Sequence, residues 1–147
     1  MADKINKELM SKLQEALCPF PEAIEFALAY RNLIHAIDDL VDDPNRPTSE
    51  ALLKVFAQAS AVYSLPFWKV NCDKLLIIEQ LINNTYADSV LWENDAVVEH
   101  KRVASDTLRH TGLDMFFAII LITLGRDKLR EFSAPFRQQC IELQSTN

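Results

Sequence analysis

The chain has 147 residues, of which 49% are hydrophobic and 24% charged, a globular balance that excludes a polar, disordered chain. Its 15 basic and 21 acidic residues give a net charge of −6, which argues against nucleic-acid and membrane partners because those surfaces are bound by basic patches. The length predicts a single domain over residues 1–147, with a core that needs no covalent staple.

The distribution of glycine and proline predicts helices and no sheet. Only two glycines occur, whereas sheets joined by tight hairpins normally need more. The six prolines are grouped at apparent breaks, and helical periodicity fills the stretches between them. We therefore predict an all-α fold, a single-domain bundle of about six helices.

The first two helices are predicted on either side of a proline-containing break. The first covers residues 3 to about 17 and stops before Pro19. The second runs from about 21 to 43, with Pro21 in its first turn and Glu22 near its positive end. Its apolar residues repeat at helical spacing, and they are Phe26, Tyr30, Leu33, Ile34, Ile37, Leu40 and Val41.

A third helix is predicted to start after Pro47, with Thr48 as its N-cap, and to end near residue 64. The following "SLPFWKVN", residues 64–71, is predicted to be a loop. Two large aromatic residues, Phe67 and Trp68, fall in this loop, where such residues either pack underneath or contact a partner. We favour core packing.

The second half of the chain predicts three more helices. The fourth is long, from about residue 73 to near 105 or 108, and the last covers 127 to about 144, with Pro135 as a kink or a break. Between them, residues 113–124 predict a buried helix that ends at Gly125 as a C-cap. The β-branched run "FAIILIT" within it would also suit a buried strand, but no second stretch of the sequence offers it a partner.

Cysteine usage and the apolar stretches predict a cytoplasmic protein. The three cysteines, Cys18, Cys72 and Cys140, are widely spaced, which predicts buried free thiols in a reducing compartment. The first residues lack the basic-then-apolar pattern of a secretory signal. The longest apolar stretch, "MFFAIILITL", is about half of what spans a bilayer.

The most informative motif is "LIHAIDDLVDDPNRPT", residues 33–48. On a helix, Arg31, His35, Asp38 and Asp42 form one stripe beside the apolar face. Asp38 and Asp42 are one turn apart, and two carboxylates at this spacing repel each other. A divalent cation between them reverses that repulsion, and Mg²⁺ favours one or two carboxylates together with phosphate oxygens.

A structural interpretation of the same aspartates is a solvated helix end before a proline turn. Acidic residues gain nothing from the helix dipole at a C-terminus, so Asp42 and Asp43 need another reason to be there. Capping of the following turn or an ion pair with Arg46 would provide one. We favour this interpretation over metal binding.

The motif also resembles a known family. "DDLVD" matches the DDxxD motif of class I isoprenoid synthases, and the longer stretch is similar to trans-isoprenyl diphosphate synthases. "FALAYRNLIHAIDD" is similar to the run into the first motif of squalene and phytoene synthases. The resemblance implies that Asp38 and Asp42 hold Mg²⁺ bound to a substrate diphosphate, which Arg31 and Arg46 would contact.

A second acidic stripe is predicted on the fourth helix. Its ordinary interpretation is a solvated face with local ion pairs, which we favour. The alternative is that Asp95 and Glu99 face Asp38 and Asp42 across the bundle and complete a metal site.

Two functions remain after these observations. The first is a small helical protein that acts through protein–protein contact or self-association, as a homo-oligomer, because recognisable catalytic motifs are missing and the apolar helix faces are broad. The alternative is a Mg²⁺-dependent enzyme or binder of a diphosphate ligand, isoprenoid or nucleotide, that uses the "DDLVDD" helix. Mg²⁺ is the only cofactor predicted, and no catalytic residue is assigned.

Overall fold

A computed structural model describes residues 2–42, 48–94 and 112–145, and within these ranges the chain forms six α-helices and no strand. The all-α prediction of about six helices is therefore confirmed. The helices are α1 (Ala2–Ala16), α2 (Pro21–Asp42), α3 (Thr48–Tyr63), α4 (Pro66–Asn94), α5 (Leu113–Leu124) and α6 (Arg126–Ser145).

The chain divides into two compact units. One comprises Met1–Val70 with Ile119–Asn147, and the other comprises Asn71–Ala118. The prediction of a single domain over residues 1–147 stays a prediction.

The first unit is built around α2, which packs along α3 and also contacts α1. Residues of α2 that repeat at helical spacing are buried, among them Phe26, Tyr30 and Leu33. Burial decreases toward the C-terminal end of α2, where Ile37 is only half-buried and Val41 is exposed. The apolar face predicted for α2 is thus buried in the first half of the helix, whereas near the C-terminal end the prediction included residues that are not buried.

An aromatic cluster fixes the start of α4 and corrects the predicted loop. Phe26 lies with its ring centroid 5.5 Å from that of Phe67 and 6.1 Å from that of Trp68, and Tyr63 contacts Trp68 edge-on at 4.8 Å. Helix α4 begins at Pro66, so the loop predicted over 64–71 is wrong from that residue onward. Proline suits a first helical position, and the two aromatic residues that follow are held by packing on α2.

The second unit contains most of α4, which is apolar on one buried side. Leu75 and Ile82 are buried along this side, and Glu79 and Ser89 continue it as buried polar residues. The Ser89 hydroxyl donates to the carbonyl oxygen of Tyr86 at 2.6 Å, which satisfies it inside the helix. The predicted continuation of this helix to 105 or 108 lies outside the described residues.

Helix α5 covers Leu113–Leu124 as predicted, so the strand alternative is wrong. Its end is set by Gly125, which has φ +90° and whose N–H donates to the carbonyl oxygens of Ile120 and Leu121, both at 3.2 Å. This conformation is the helix C-cap expected of glycine. Pro135 lies inside α6, which continues through it, so of the two predicted alternatives, a kink or a break, the break does not occur.

Two cysteines differ from their prediction. Cys18 and Cys72 are free thiols as expected, but both are exposed and not buried. Each lies on a solvent-facing position of the chain, at the end of α1 and near the start of α4. Among the helices that the structure describes, none combines the length and the apolar character that crossing a bilayer requires.

Candidate functional site

The α2–α3 hairpin positions a polar cleft in the first unit. Near the end of α2, the Asp39 carboxylate lies 3.9 Å from the Lys54 ammonium of α3. Near its beginning, Phe26 lies against Phe67, which follows α3 directly. These two contacts show that α2 and α3 run antiparallel, so residues in the middle of α2 face residues one to two turns beyond Lys54.

A cleft of about 350 Å³ lies between the two helices, and we call it the basic cleft. It is lined by Arg31, Asn32 and His35 from α2 and by Lys54 and Gln58 from α3. His35 lies about one turn after Arg31 and Asn32, and Gln58 lies one turn after Lys54, which places the side chains on each helix toward the same face. The lining contains two permanent cations, an imidazole and two amides, and none of these five residues is acidic.

The two cations of the basic cleft are weakly neutralised by their surroundings. The Nε atom of Arg31 is buried and has no hydrogen-bond partner within the described part of the chain. The Lys54–Asp39 pair is long at 3.9 Å, and the two side chains are 49% and 48% exposed. A pair this exposed contributes little attraction, so much of the positive charge in the cleft is available to a ligand.

Of the six predicted site residues, the structure describes the side chains of two. Arg31 lies in the basic cleft, and Asp38 is half-buried on α2. Asp42 is the last residue of α2, and its side chain lies outside the described part. Arg46, Asp95 and Glu99 also lie outside the described residues.

The metal prediction stays a prediction. Within residues 2–42, 48–94 and 112–145, no three His, Cys, Asp or Glu side chains come together as a group that could hold a metal ion. The second acidic helix segment that the Mg²⁺ site requires, with Asp95 and Glu99, falls in the gap between these ranges.

The sequence reasoning missed Lys54, Gln58 and Asn32. The predicted partners of the α2 aspartates were Arg46 in the following turn or Asp95 and Glu99 on the fourth helix, and none was sought on α3. A helical hairpin with a short connection brings together residues at similar distances from the turn, and this rule places Asp39 within about one turn of Lys54. The signal was therefore present in the sequence, once α2 and α3 are taken as neighbours.

A second surface lies on α4, on the side opposite to its buried residues. Ile77, Leu81 and Leu91 are 64%, 64% and 67% exposed. Lys74 and Asp88 lie on the same side of the helix. We call this surface the α4 outer face, formed by Lys74, Ile77, Leu81, Asn84, Asp88 and Leu91.

On the α4 outer face, charged residues lie on either side of the central apolar residue. The amide of Asn84 donates to the carboxylate of Asp88 at 3.4 Å, along the helix. Leu81 stands at the middle of the face, with Lys74 two turns before it and Asp88 two turns after it. The positive and negative charges are thus placed symmetrically about one exposed leucine.

No protein-family model, no curated protein and no solved structure matches this chain. The resemblance of residues 33–48 to isoprenoid synthases accordingly stays a prediction.

Proposed function

We propose that this protein acts through self-association, with α4 of one copy packed antiparallel against α4 of a second copy. The observation that carries the proposal is the α4 outer face, where three large apolar side chains are each about two-thirds exposed. Exposed apolar residues that line up along one side of a helix are typical of interaction surfaces.

The charges on this face favour a second copy in the antiparallel orientation. If two α4 helices cross at Leu81, an antiparallel arrangement places Lys74 of each copy opposite Asp88 of the other. A parallel arrangement would place Lys74 against Lys74 and Asp88 against Asp88. Because like charges across an interface cost free energy and unlike charges gain it, the antiparallel orientation is the stable one.

The antiparallel arrangement also has the symmetry of ordinary homodimers. A two-fold axis through Leu81 makes each contact occur twice, so that the surface is complementary to itself. The two helix dipoles then oppose each other, which favours the same orientation. Leu81 would lie at the centre of the contact, where the largest part of the binding free energy is expected.

The experiment is the molar mass of the purified protein by light scattering over a range of concentrations. We expect a dimer at high concentration that dissociates on dilution. Leu81→Glu should weaken the dimer by about a hundredfold or more, because two buried leucines are lost and two carboxylates are brought together.

The matched control is Leu53→Glu on α3. Leu53 is 69% exposed, so the substitution adds the same charge and removes the same side chain from a different surface. We expect Leu53→Glu to leave the mass unchanged. A monomer at all concentrations, or equal effects of the two variants, would contradict the proposal.

A second candidate function is Mg²⁺-dependent binding of a diphosphate ligand. Two observations favour it: Arg31 lines the basic cleft, and Arg31 lies on the same helix as Asp38 and Asp42. Mg²⁺ on the two aspartates would neutralise one end of a diphosphate and Arg31 the other.

A thermal melt with Mg²⁺ and pyrophosphate tests this candidate. We expect a rise in melting temperature that disappears in Asp38→Asn/Asp42→Asn. The control is Asp127→Asn/Glu131→Gln, which removes another pair of carboxylates one turn apart, on α6. A rise that persists in the Asp38→Asn/Asp42→Asn variant would contradict the metal role of these aspartates.

A further inference from the structure

The basic cleft points to a third property, which requires neither self-association nor a metal ion. We infer that the cleft between α2 and α3 binds the phosphate group of a small soluble phosphorylated molecule directly, through Arg31 and Lys54. The charge, the geometry and the size of the cleft each support this inference.

The charge of the cleft runs against that of the whole chain. The protein carries a net charge of −6, yet the five residues that line the cleft include an arginine, a lysine and a histidine and no carboxylate. Arg31 and Lys54, which two helices bring to one cleft, repel each other in the absence of an anion. An anion bound between them turns this repulsion into attraction.

The guanidinium of Arg31 suits a phosphate group, which offers two oxygens at once, better than it suits an ion of a single atom. The guanidinium of Arg31 is a planar fork that binds phosphate through two parallel N–H groups. Its Nε–H is buried and lacks an acceptor within the described residues, and a buried donor left in this way is destabilising. Rotation of the guanidinium toward a phosphate in the cleft would supply that acceptor.

The opposite wall of the cleft supplies the second cation and further donors. Lys54 reaches the cleft from α3, and its present partner, Asp39, is 3.9 Å away and does not line the cleft. The amides of Gln58 on this wall and of Asn32 on α2 can donate hydrogen bonds to the remaining phosphate oxygens. Asp39 thus competes with the ligand for Lys54.

The size of the cleft limits the ligand to a small molecule. A volume of about 350 Å³ lies at the lower end of small-molecule pockets. It accommodates a phosphate or diphosphate with a small attached group.

The test is isothermal titration calorimetry of the whole chain with inorganic phosphate and with pyrophosphate, in buffer containing EDTA. We expect both to bind, with pyrophosphate binding more tightly because it carries more charge. Arg31→Gln should weaken pyrophosphate binding at least about tenfold, and Arg31→Lys should weaken it less, since the charge remains and the fork is lost. Circular dichroism of each variant establishes that the helices are intact.

The Lys54–Asp39 pair provides a sharper test with a matched control. Lys54→Gln should weaken binding, whereas Asp39→Asn should tighten it a few-fold, because the competing carboxylate is removed. The Lys128–Glu131 pair on α6 is exposed to a similar degree and joined at 3.0 Å. Lys128→Gln and Glu131→Gln make the same changes in net charge away from the cleft and should leave the affinity unchanged.

Several results would overturn the inference. One is an unchanged affinity for pyrophosphate in a folded Arg31→Gln variant. Another is an equal gain of affinity in Asp39→Asn and Glu131→Gln, because that gain would reflect net charge alone. Binding that requires Mg²⁺ would also overturn it and would support the metal-dependent candidate instead. Binding to vesicles containing phosphatidic acid without binding of soluble pyrophosphate would exclude a soluble ligand.

Discussion

At the scale of single residues, burial separates two phenylalanines that look equivalent in sequence. Phe26 is fully buried and touches Tyr30, Phe67 and Trp68, whereas Phe56 on α3 is 69% exposed. Truncating a buried phenylalanine removes its transfer free energy and leaves a cavity. The same change on the surface removes few contacts.

We therefore predict that Phe26→Ala lowers the free energy of unfolding by about 3–5 kcal/mol. Phe56→Ala, the matched control, should change it by less than about 0.5 kcal/mol. Urea denaturation followed by tryptophan fluorescence measures both, with Trp68 reporting on the cluster. Losses of similar size in the two variants would mean that the aromatic cluster is not the core of the first unit.

The residues of the candidate site show what the sequence could and could not reveal. Arg31 belongs to the polar stripe predicted on α2 and lines the basic cleft, while its predicted contact with a diphosphate stays a prediction. Its partners across the cleft, Lys54 and Gln58, carry no motif of their own, and only the packing of α3 on α2 reveals them. Local periodicity predicts which side of a helix is polar, but it does not specify which helix that side meets.

At the scale of helices, most elements follow from periodicity, proline and glycine. The bounds of α5 were predicted correctly, and α2 was placed to within about a residue over the part that is described. The start of α4 was missed because "SLPFWKVN" contains a proline and no long periodic run. Long-range contacts of Phe67 and Trp68 with Phe26 supply the stabilisation that local sequence does not show.

The junction of α5 and α6 provides a prediction at this scale. Gly125 has φ +90°, a conformation that is strained for any residue with a Cβ atom, although a Cβ there would meet nothing within 4 Å. Gly125→Ala should therefore lower the free energy of unfolding by about 1–2 kcal/mol through backbone strain alone. Thermal and urea unfolding measure the change.

The control for this prediction is the other glycine. A Cβ atom at Gly112 would also meet nothing within 4 Å, and the φ of this residue is not in the left-handed region. Gly112→Ala should be neutral or slightly stabilising, by up to about 1 kcal/mol, because it restricts the unfolded chain. A Gly125→Ala variant as stable as Gly112→Ala would show that the left-handed cap does not matter.

Helix α4 shows why assigning one apolar face to each helix is insufficient. Leu75 and Ile82 lie on its buried side, and Ile77 and Leu81 lie on the opposite, exposed side. Two apolar sides on one helix blur the periodic signal, since neither side is uniformly polar. The exposed side was consequently not predicted as a distinct surface, although self-association of the protein was.

At the scale of the whole molecule, we predict two separate binding activities on separate elements. The α4 outer face takes a second copy of the chain, and the basic cleft takes a small phosphorylated ligand. Because the two surfaces share no residue, variants of one are expected to leave the other unchanged. Leu81→Glu should thus bind pyrophosphate like the unaltered protein, which calorimetry of the variant measures.

The antiparallel orientation of the proposed dimer is tested most directly by charge exchange. Lys74→Glu and Asp88→Lys each place like charges opposite each other in the antiparallel dimer, and the double exchange restores unlike pairs. Asp88→Lys also makes the acidic chain less negative. The two copies would then repel each other less, and this effect alone would strengthen association in that variant. Specific pairing of Lys74 with Asp88 therefore predicts a weaker dimer for Asp88→Lys, whereas net charge alone predicts a stronger one.

The measurement is the dimer dissociation constant of the four proteins by sedimentation equilibrium at low salt. We expect each single exchange to weaken the dimer by about tenfold or more, and the double exchange to restore it to within about threefold of the unaltered protein. A tighter dimer in Asp88→Lys, or a double exchange no better than Lys74→Glu, would contradict antiparallel pairing along α4.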